Sequence, residues 1–144
     1  MSEAENKDLV RRYTGEMWAE GNIGNEAALR KYLSPSFRRH MSPLLPPLDL
    51  EGQIKRLAGI QSGFPNITIT LEDLVCEGDR VVLHGTLRGT HLGEIAGLSP
   101  TGKDVTVTVV DLIRVEDGQF AEGWGGPDVF DLVRQLGATV TAGN

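Results

Sequence analysis

The sequence has a single cysteine and no long hydrophobic run, and each shortage excludes a class of protein. With Cys76 as its one thiol, the chain forms no internal disulfide bond and no cysteine-rich metal site. No apolar stretch reaches the roughly 20 residues that a membrane-spanning helix needs. The acidic, polar amino terminus differs from a signal peptide. We therefore expect a cytoplasmic protein with no membrane partner.

Basic residues are also scarce, with 14 Lys and Arg against 20 Asp and Glu and a formal net charge of −6. A nucleic-acid-binding protein usually presents a basic face, and the one dense basic cluster, Arg38–His40, is too short for that. We expect no nucleic-acid partner. The length of 144 residues fits one domain. We expect that domain to span 1–144, with a core at about 5–138 and a flexible tail at 139–144.

The first half of the chain places its hydrophobic residues at helical spacing. Capping residues and glycines mark the ends of the predicted helices. These helices cover 6–19, 25–33 and 49–63, and a short extended segment at 37–41 lies between the second and the third.

The second half alternates hydrophobic and polar residues, as strands do. Strands are predicted at 67–72, 81–88, 105–114 and 119–124, and a last helix runs from Asp128 to Gly137. Tight turns between strands make most of the sheet antiparallel. Helices that precede such a sheet predict an α+β fold, in which a curved mixed or antiparallel sheet forms a cone around the N-terminal helices and encloses a pocket.

Asp111 is the most informative polar residue. It shares one strand face with hydrophobic residues, namely Val105, Val107, Val109 and Ile113. Burial of a lone carboxylate raises its pKa, which suits proton transfer near neutral pH. The alternative is a structural carboxylate that pairs with an arginine such as Arg88 or Arg114.

Other candidate proton carriers are the histidines and Asp128. The spacing of His40, His84 and His91 is not that of a metal site, so we expect no metal. His40 ends the extended segment near the mouth of the cone, and His91 lies at a strand end; a structural role is the alternative for each. Asp128 precedes the last helix, where capping the helix is the plain interpretation and catalysis the alternative.

Several aromatic and apolar side chains are predicted to wall the pocket. Inside a cone, core and pocket wall are one surface, so spacing alone does not separate them. For Trp124, packing under the last helix is an alternative. The predicted substrate-binding residues are Tyr13, Met17, Trp18, Tyr32, Ile54, Leu57, Phe64, Val109, Glu122 and Trp124.

Two runs, 78–103 and 109–138, carry short motifs in a characteristic order. Among these motifs are Gly89-Thr90-His91, Asp111-Leu112-Ile113-Arg114, and Glu122 with Trp124. Together they resemble the SnoaL-like polyketide cyclases, or ester cyclases, of the nuclear-transport-factor-like superfamily. The helical first half agrees in layout.

The resemblance implies an α+β cone whose pocket holds a small, apolar or aromatic polyketide-like substrate. It implies that a ring of an aromatic polyketide ester is closed by an intramolecular aldol reaction, through general acid–base catalysis without cofactor or metal. Asp111 or Asp128 would be the base, assisted by His91 or His40. Relatives usually form homodimers or homotetramers, and the outer sheet face around Val110 is a candidate contact.

The chain departs from the family at two positions of the last strand. Relatives commonly carry histidine before its tryptophan, and cyclases often carry aspartate after it; here these positions are Gly123 and Gly125. Either the base is Asp111 or Asp128, or the glycines widen the pocket and the chemistry is changed or lost. A non-catalytic ligand-binding or dimerisation module and a cofactor-free hydroxylase are the alternatives to a cyclase.

Overall fold

The computed structural model describes residues 2–19, 21–139 and 141–143, and within them four helices accompany one mixed, open five-stranded sheet. In chain order the elements are α1 Glu3–Met17, α2 Glu26–Tyr32, β1 Leu33–His40, α3 Leu50–Gly63, β2 Thr68–Glu77, β3 Arg80–Thr90, β4 Asp104–Glu116, β5 Gln119–Pro127 and α4 Val129–Gln135. The strand order is β1-β5-β4-β3-β2. β1 is parallel to β5, and the other neighbours are antiparallel. This arrangement confirms the predicted α+β class.

Each helix begins at a polar residue whose side chain accepts a hydrogen bond from the helix's first turn. Ser2, Asn25, Asp49 and Asp128 fill this role for α1 to α4. Such a cap satisfies backbone N–H groups that have no partner inside the helix. The sequence therefore sets where the helices start.

The core lies between α1 to α3 and the inner face of the sheet. β4 shows the pattern most clearly, because Val105, Val107, Val109 and Ile113 are buried while the threonines between them are exposed. The side chains of a strand alternate between its two faces, so one face of β4 meets the helices and the other faces away.

Several predicted boundaries differ from the structure, most of all those of β1, β2 and β5; β2 continues to Glu77, five residues past its predicted end. β1 begins at Leu33, directly after α2, and includes Pro35. The strand lies at the sheet edge, and its pairing with β5 is irregular between Leu33 and Arg38, so the proline interrupts no regular ladder. β5 extends to Pro127, beyond the predicted end at Trp124, because its last residues still pair with β4.

Parts of the predicted tail fall on residues 140 and 144, which lie outside the described residues. None of the helices found in the described segments is both long and apolar enough to cross a membrane.

Candidate active site

Asp111 lies on the inner face of β4, opposite Leu83 of β3 and Gly125 of β5. Its partner is Arg39 of β1, whose Nη1 donates to both carboxylate oxygens at 2.9 and 3.0 Å. Nη2 of the same guanidinium donates to the Gly125 carbonyl at 2.7 Å. The ion pair thus joins the edge strand to the middle of the sheet, and it involves neither of the arginines that the sequence suggested.

At two positions of β5 a side chain would collide with neighbouring atoms, and at one of them, Gly123, the free space is filled by this arginine. A Cβ atom at Gly123 would lie 2.7 Å from Nη1 of Arg39. Gly125 has a φ of +93°, and a Cβ atom there would lie 2.5 Å from the Val110 carbonyl oxygen. The expectation that these glycines widen the pocket is therefore corrected at position 123, because the Arg39 guanidinium fills the space beside that residue.

Burial shifts the pKa values of the ionisable side chains around Asp111. Arg39 is 4% exposed and the Asp111 side chain 17% exposed. Burial raises the pKa of Asp111 above its ordinary value, although the positive charges of Arg39 and Arg56 offset part of the rise. Burial also raises the pKa of Tyr13 to about 12, so its hydroxyl stays protonated and can donate a hydrogen bond.

Asp111 and Arg39 line a small polar niche of about 30 Å³, which leaves room for about one or two water molecules. Tyr13 and Trp18 from α1, and Gln53 and Arg56 from α3, belong to the same niche.

Beside the niche lies a cavity of about 650 Å³, and Arg56 and Pro127 line both spaces. The walls of the large cavity are mainly apolar and include Ile60, Phe64, Ile67, Leu87, Val107 and Leu132. A carboxylate, two guanidinium groups and a phenol therefore lie beside a space large enough for a small organic molecule.

The predicted wall residues fall into three groups: those that line a space, those buried in the core and those on the outer face of the sheet. Phe64 lines the large cavity, and Tyr13, Trp18, Leu57 and Val109 line the niche. The others on the helices, Met17, Tyr32 and Ile54, are buried in the core and line neither space. Tyr32 packs its ring 5.3 Å from that of Tyr13, so it supports the niche from behind.

Glu122 and Trp124 lie on the outer face of the sheet, which corrects their assignment to the pocket wall. They pair with Arg114 and Leu112, residues that alternate with the inward-facing Asp111. Trp124 does not pack under α4 as the alternative supposed, because its ring stacks on His40, with centroids 5.1 Å apart.

The same outer face holds His40. Its Nε2 lies 2.6 Å from Oε2 of Glu122, and Nε of Arg114 donates to the other oxygen of Glu122 at 3.1 Å. His84 also faces outward, where its Nδ1 lies 2.7 Å from a carboxylate oxygen of Asp73. Neither histidine lines the niche or the cavity.

His91 and Asp128 also lie outside the lining of both spaces. His91 is fully buried, and its Nδ1 accepts a hydrogen bond from the Thr101 backbone N–H at 3.2 Å. This bond and the backbone bonds between His91 and residues 102–103 fix the loop after β3. Asp128 is exposed and caps α4 by accepting from the Asp131 N–H at 3.0 Å.

Arg39, Arg56 and Gln53 are the site residues that the sequence analysis missed. Arg39 lies two positions after the buried Phe37 on the same strand, so alternation would have placed it inward. On α3, Gln53 and Arg56 are three residues apart and share a helix face. In the described segments, no three histidine, cysteine, aspartate or glutamate residues cluster as a metal site would require.

Comparison with known proteins gives a consistent result. The model of the SnoaL-like polyketide cyclase family matches residues 7–136. The aklanonic acid methyl ester cyclase DauD of Streptomyces sp. (strain C5) is 30% identical over 134 residues, covering 90% of this chain and 80% of the relative.

Solved structures agree as well. A protein of Jannaschia sp. CCS1 described as a SnoaL-like polyketide cyclase has a TM-score of 0.84 at 28% identity, covering 96% of this chain and 95% of the other. AclR of Streptomyces galilaeus, described as a hydroxylase, has a TM-score of 0.83 at 26% identity, covering 98% of this chain and 87% of the other. On its sequence and its fold alike, the chain belongs to the SnoaL-like polyketide cyclase family.

Proposed function

We propose that the protein closes a ring of an aromatic polyketide ester by intramolecular aldol chemistry, with Asp111 as the general base and no cofactor. The observation that carries the proposal is an inward carboxylate of raised pKa in a polar niche beside an apolar cavity of about 650 Å³. A relative named as an aklanonic acid methyl ester cyclase supports this choice of substrate class.

In the proposed reaction the apolar body of the substrate fills the large cavity and its reacting carbon lies beside Asp111. The carboxylate removes a proton from the carbon next to a carbonyl, and the electron pair moves onto that carbonyl oxygen. The resulting enolate carbon attacks a second carbonyl carbon of the same molecule and forms the new C–C bond. The proton on Asp111 then returns to the second carbonyl oxygen, so no group leaves and no oxidant is consumed.

Three neighbours would assist this proton transfer. Arg39 is a positioning residue, because it holds the Asp111 carboxylate through Nη1. Arg56 and the protonated Tyr13 line the same niche and can stabilise the enolate oxygen, one by charge and one by hydrogen bonding. His40, His91 and Asp128 have no part in this mechanism, since none of them lines the niche.

Substitution of Asp111 tests the base directly. D111N keeps the shape of the side chain but removes the base, so we expect turnover of aklanonic acid methyl ester to fall by about 10²-fold or more. In the wild-type protein, kcat/KM should rise with pH as Asp111 loses its proton, with a midpoint above the ordinary value of 3.8. Ring closure is followed by chromatography of substrate and product.

D128N is the matched control. It replaces an exposed helix cap by another good cap, so turnover and pH profile should stay close to those of the wild-type protein. Full activity of D111N, with its folding verified by thermal unfolding, would remove Asp111 from the mechanism. Tight binding of polyketide esters without any product would favour the non-catalytic module.

A cofactor-free hydroxylase is the second candidate, because AclR shares the fold and is described as a hydroxylase. The same base would remove a proton from a substrate CH2 carbon, and the carbanion would add molecular oxygen to form a C–O bond and, with one proton, a hydroperoxide. The O–O bond then breaks with loss of water and leaves a carbonyl, the keto form of a ring hydroxyl, so molecular oxygen is the only oxidant needed. Oxygen consumption with an anthracycline-like substrate, measured by an oxygen electrode, separates this candidate from ring closure, which consumes none.

A further inference from the structure

The charged residues around the large cavity all carry one sign. Those that line it are Lys55, Arg56 and Arg88, and none of the lining residues is acidic. The chain as a whole has the opposite bias, with a net charge of −6. The cavity is therefore a positive region in an acidic protein, and such a region favours an anionic ligand.

Of the three cations, Arg56 is the one placed to bind a ligand. Arg88 already donates from Nη1 to Oγ1 of Thr70 at 3.0 Å, and Lys55 is exposed to solvent. Arg56 is half-buried and lines both the cavity and the niche. In the part of the chain that the structure describes, no side chain or carbonyl group forms a hydrogen bond or ion pair with it.

The niche also holds more positive than negative charge. Its lining includes the guanidinium groups of Arg39 and Arg56 but only one carboxylate, Asp111, both of whose oxygens are bonded to Arg39. The two guanidinium groups approach each other at Gly126, where a Cβ atom would lie 3.2 Å from Nη2 of Arg39 and 3.4 Å from Nη2 of Arg56. Nε of Arg39 is buried without a hydrogen-bond partner among the described residues.

A second anion, in addition to Asp111, would compensate the excess of positive charge in the niche. Burial and the charge of Arg39 lower the pKa of Arg56, so bringing a negative group to Arg56 stabilises its charged form. A guanidinium binds a carboxylate or another anionic oxygen through two parallel N–H groups, and such bonds are stronger away from water.

From this geometry we infer that the ligand carries an anionic oxygen, either a carboxylate or an enolate, which Arg56 binds while the apolar body of the ligand fills the large cavity. The inference rests on the proposed function for the location of the site, but its test needs no turnover. It predicts that the protein prefers ligands in their anionic form.

The test uses a matched pair of ligands, anthraquinone-2-carboxylic acid and its methyl ester, with binding measured by calorimetry at pH 7. The acid is an anion at this pH and the ester is neutral. We expect the wild-type protein to bind the acid about tenfold or more tightly than the ester, since a charge-assisted bond is worth about that factor or more.

Two variants distinguish a specific contact between the anion and Arg56 from a general attraction of anions to the positive cavity. R56Q should lose the preference for the acid and bind the ester within about twofold of the wild-type affinity. K55Q removes another positive charge from the same cavity, and it should reduce acid binding by less than about threefold because an exposed charge is screened by salt. Thermal unfolding verifies that both variants fold.

A third ligand identifies the source of the charge. The more acidic of the two hydroxyl groups of 1,2-dihydroxyanthraquinone ionises to an enolate-like oxygen, so binding of this ligand is measured above and below the pKa of that hydroxyl. Tighter binding of the ionised form assigns an enolate-type oxygen to Arg56, and a preference for the carboxylic acid over its ester assigns a carboxylate; both preferences together assign both.

The inference would be overturned if the wild-type protein bound acid and ester equally and also bound both forms of the third ligand equally, or if R56Q kept the preference. The proposed ring closure and the proposed anion binding by Arg56 can each be refuted without the other. A protein that prefers the acid but closes no ring refutes the proposed cyclisation alone, while ring closure without the preference refutes the role of Arg56 alone.

Discussion

Gly123 makes the Arg39–Asp111 pair possible, because any larger residue at this position would occupy the space of the guanidinium. Arg39 cannot simply turn aside, since it is buried and held by bonds to Asp111 and to the Gly125 carbonyl. A residue without a side chain thus leaves the space that the positioning residue of the proposed base occupies.

We predict that G123A lowers the free energy of unfolding by about 1–3 kcal/mol, the usual cost of forcing extra atoms into a packed interior. The new Cβ would have to displace Nη1 of Arg39 from 2.7 Å, which breaks the pairing with Asp111. Urea unfolding measures the stability, and turnover should fall with it because the base loses its positioning residue.

G15A is the matched control for this substitution. Gly15 lies inside α1 and is exposed, and a Cβ atom there would meet nothing within 4 Å. Alanine in an exposed helix interior stabilises by about 0.5–1 kcal/mol relative to glycine, so this variant should change stability in the opposite direction. If both variants behave alike, the space at Gly123 does not limit the protein.

At the scale of elements, β1, β5 and β4 are joined on the outer face by a row of polar contacts. His40 of β1 contacts Glu122 of β5, which in turn accepts a hydrogen bond from Arg114 of β4. β1 is the parallel edge strand that carries Arg39, so this row also helps to hold Arg39 in place.

We predict that E122Q destabilises the protein by up to about 1 kcal/mol at neutral pH, in the range for partly exposed ion pairs. Burial alone would raise the pKa of Glu122, but the hydrogen bonds from His40 and Arg114 outweigh it and lower the pKa below its ordinary value of 4.5. The contribution of Glu122 is therefore present above pH 4.5 and is lost as the pH falls through the lower folded value.

Urea unfolding of the wild-type protein and E122Q at several pH values checks this prediction. The difference between the two should close in acid, and turnover at neutral pH should change little because Glu122 lies outside the niche. E116Q serves as the comparison, since Glu116 pairs with the same Arg114 at a site 61% exposed and should contribute less. A loss of turnover in E122Q with unchanged stability would contradict the structural role.

For the whole molecule, we predict that a second copy of the chain binds on the outer sheet face. The register aligns one row of hydrophobic side chains across four strands, namely Val75, Val82, Leu112 and Trp124. Val75 is 63% exposed, and the neighbouring Val110 is 48% exposed. Exposed apolar groups in one patch are typical of contacts between proteins.

That the protein forms a homodimer or homotetramer stays a prediction. Two substitutions on the outer sheet face test it. V75K and V110K each place a charge on this face, so we expect either one to shift the protein toward the monomer in size-exclusion chromatography with light scattering. L44K is the control, because Leu44 is 92% exposed in the loop before α3. A monomeric wild-type protein, or an oligomer that both variants preserve, would refute this interface.

The sequence by itself determined the α+β class, the starts of α2, α3 and α4 and the inward direction of Asp111, whereas α1 begins at Glu3, before its predicted start at residue 6. These features depend on local chemistry: capping residues define helix starts, and strict alternation along β4 assigns each residue to one face. The chain also carries the motifs of its family, which the comparisons confirmed.

Only the tertiary structure decided which residues surround Asp111. Arg39 is 72 positions away in sequence and reaches the carboxylate because β1 pairs in parallel with β5. The outward direction of Trp124 and the space beside Gly123 depend on the register between β5 and β4 and on that pairing. Contacts between distant strands follow from the packing of the whole sheet, and the spacing of residues along one strand does not specify them.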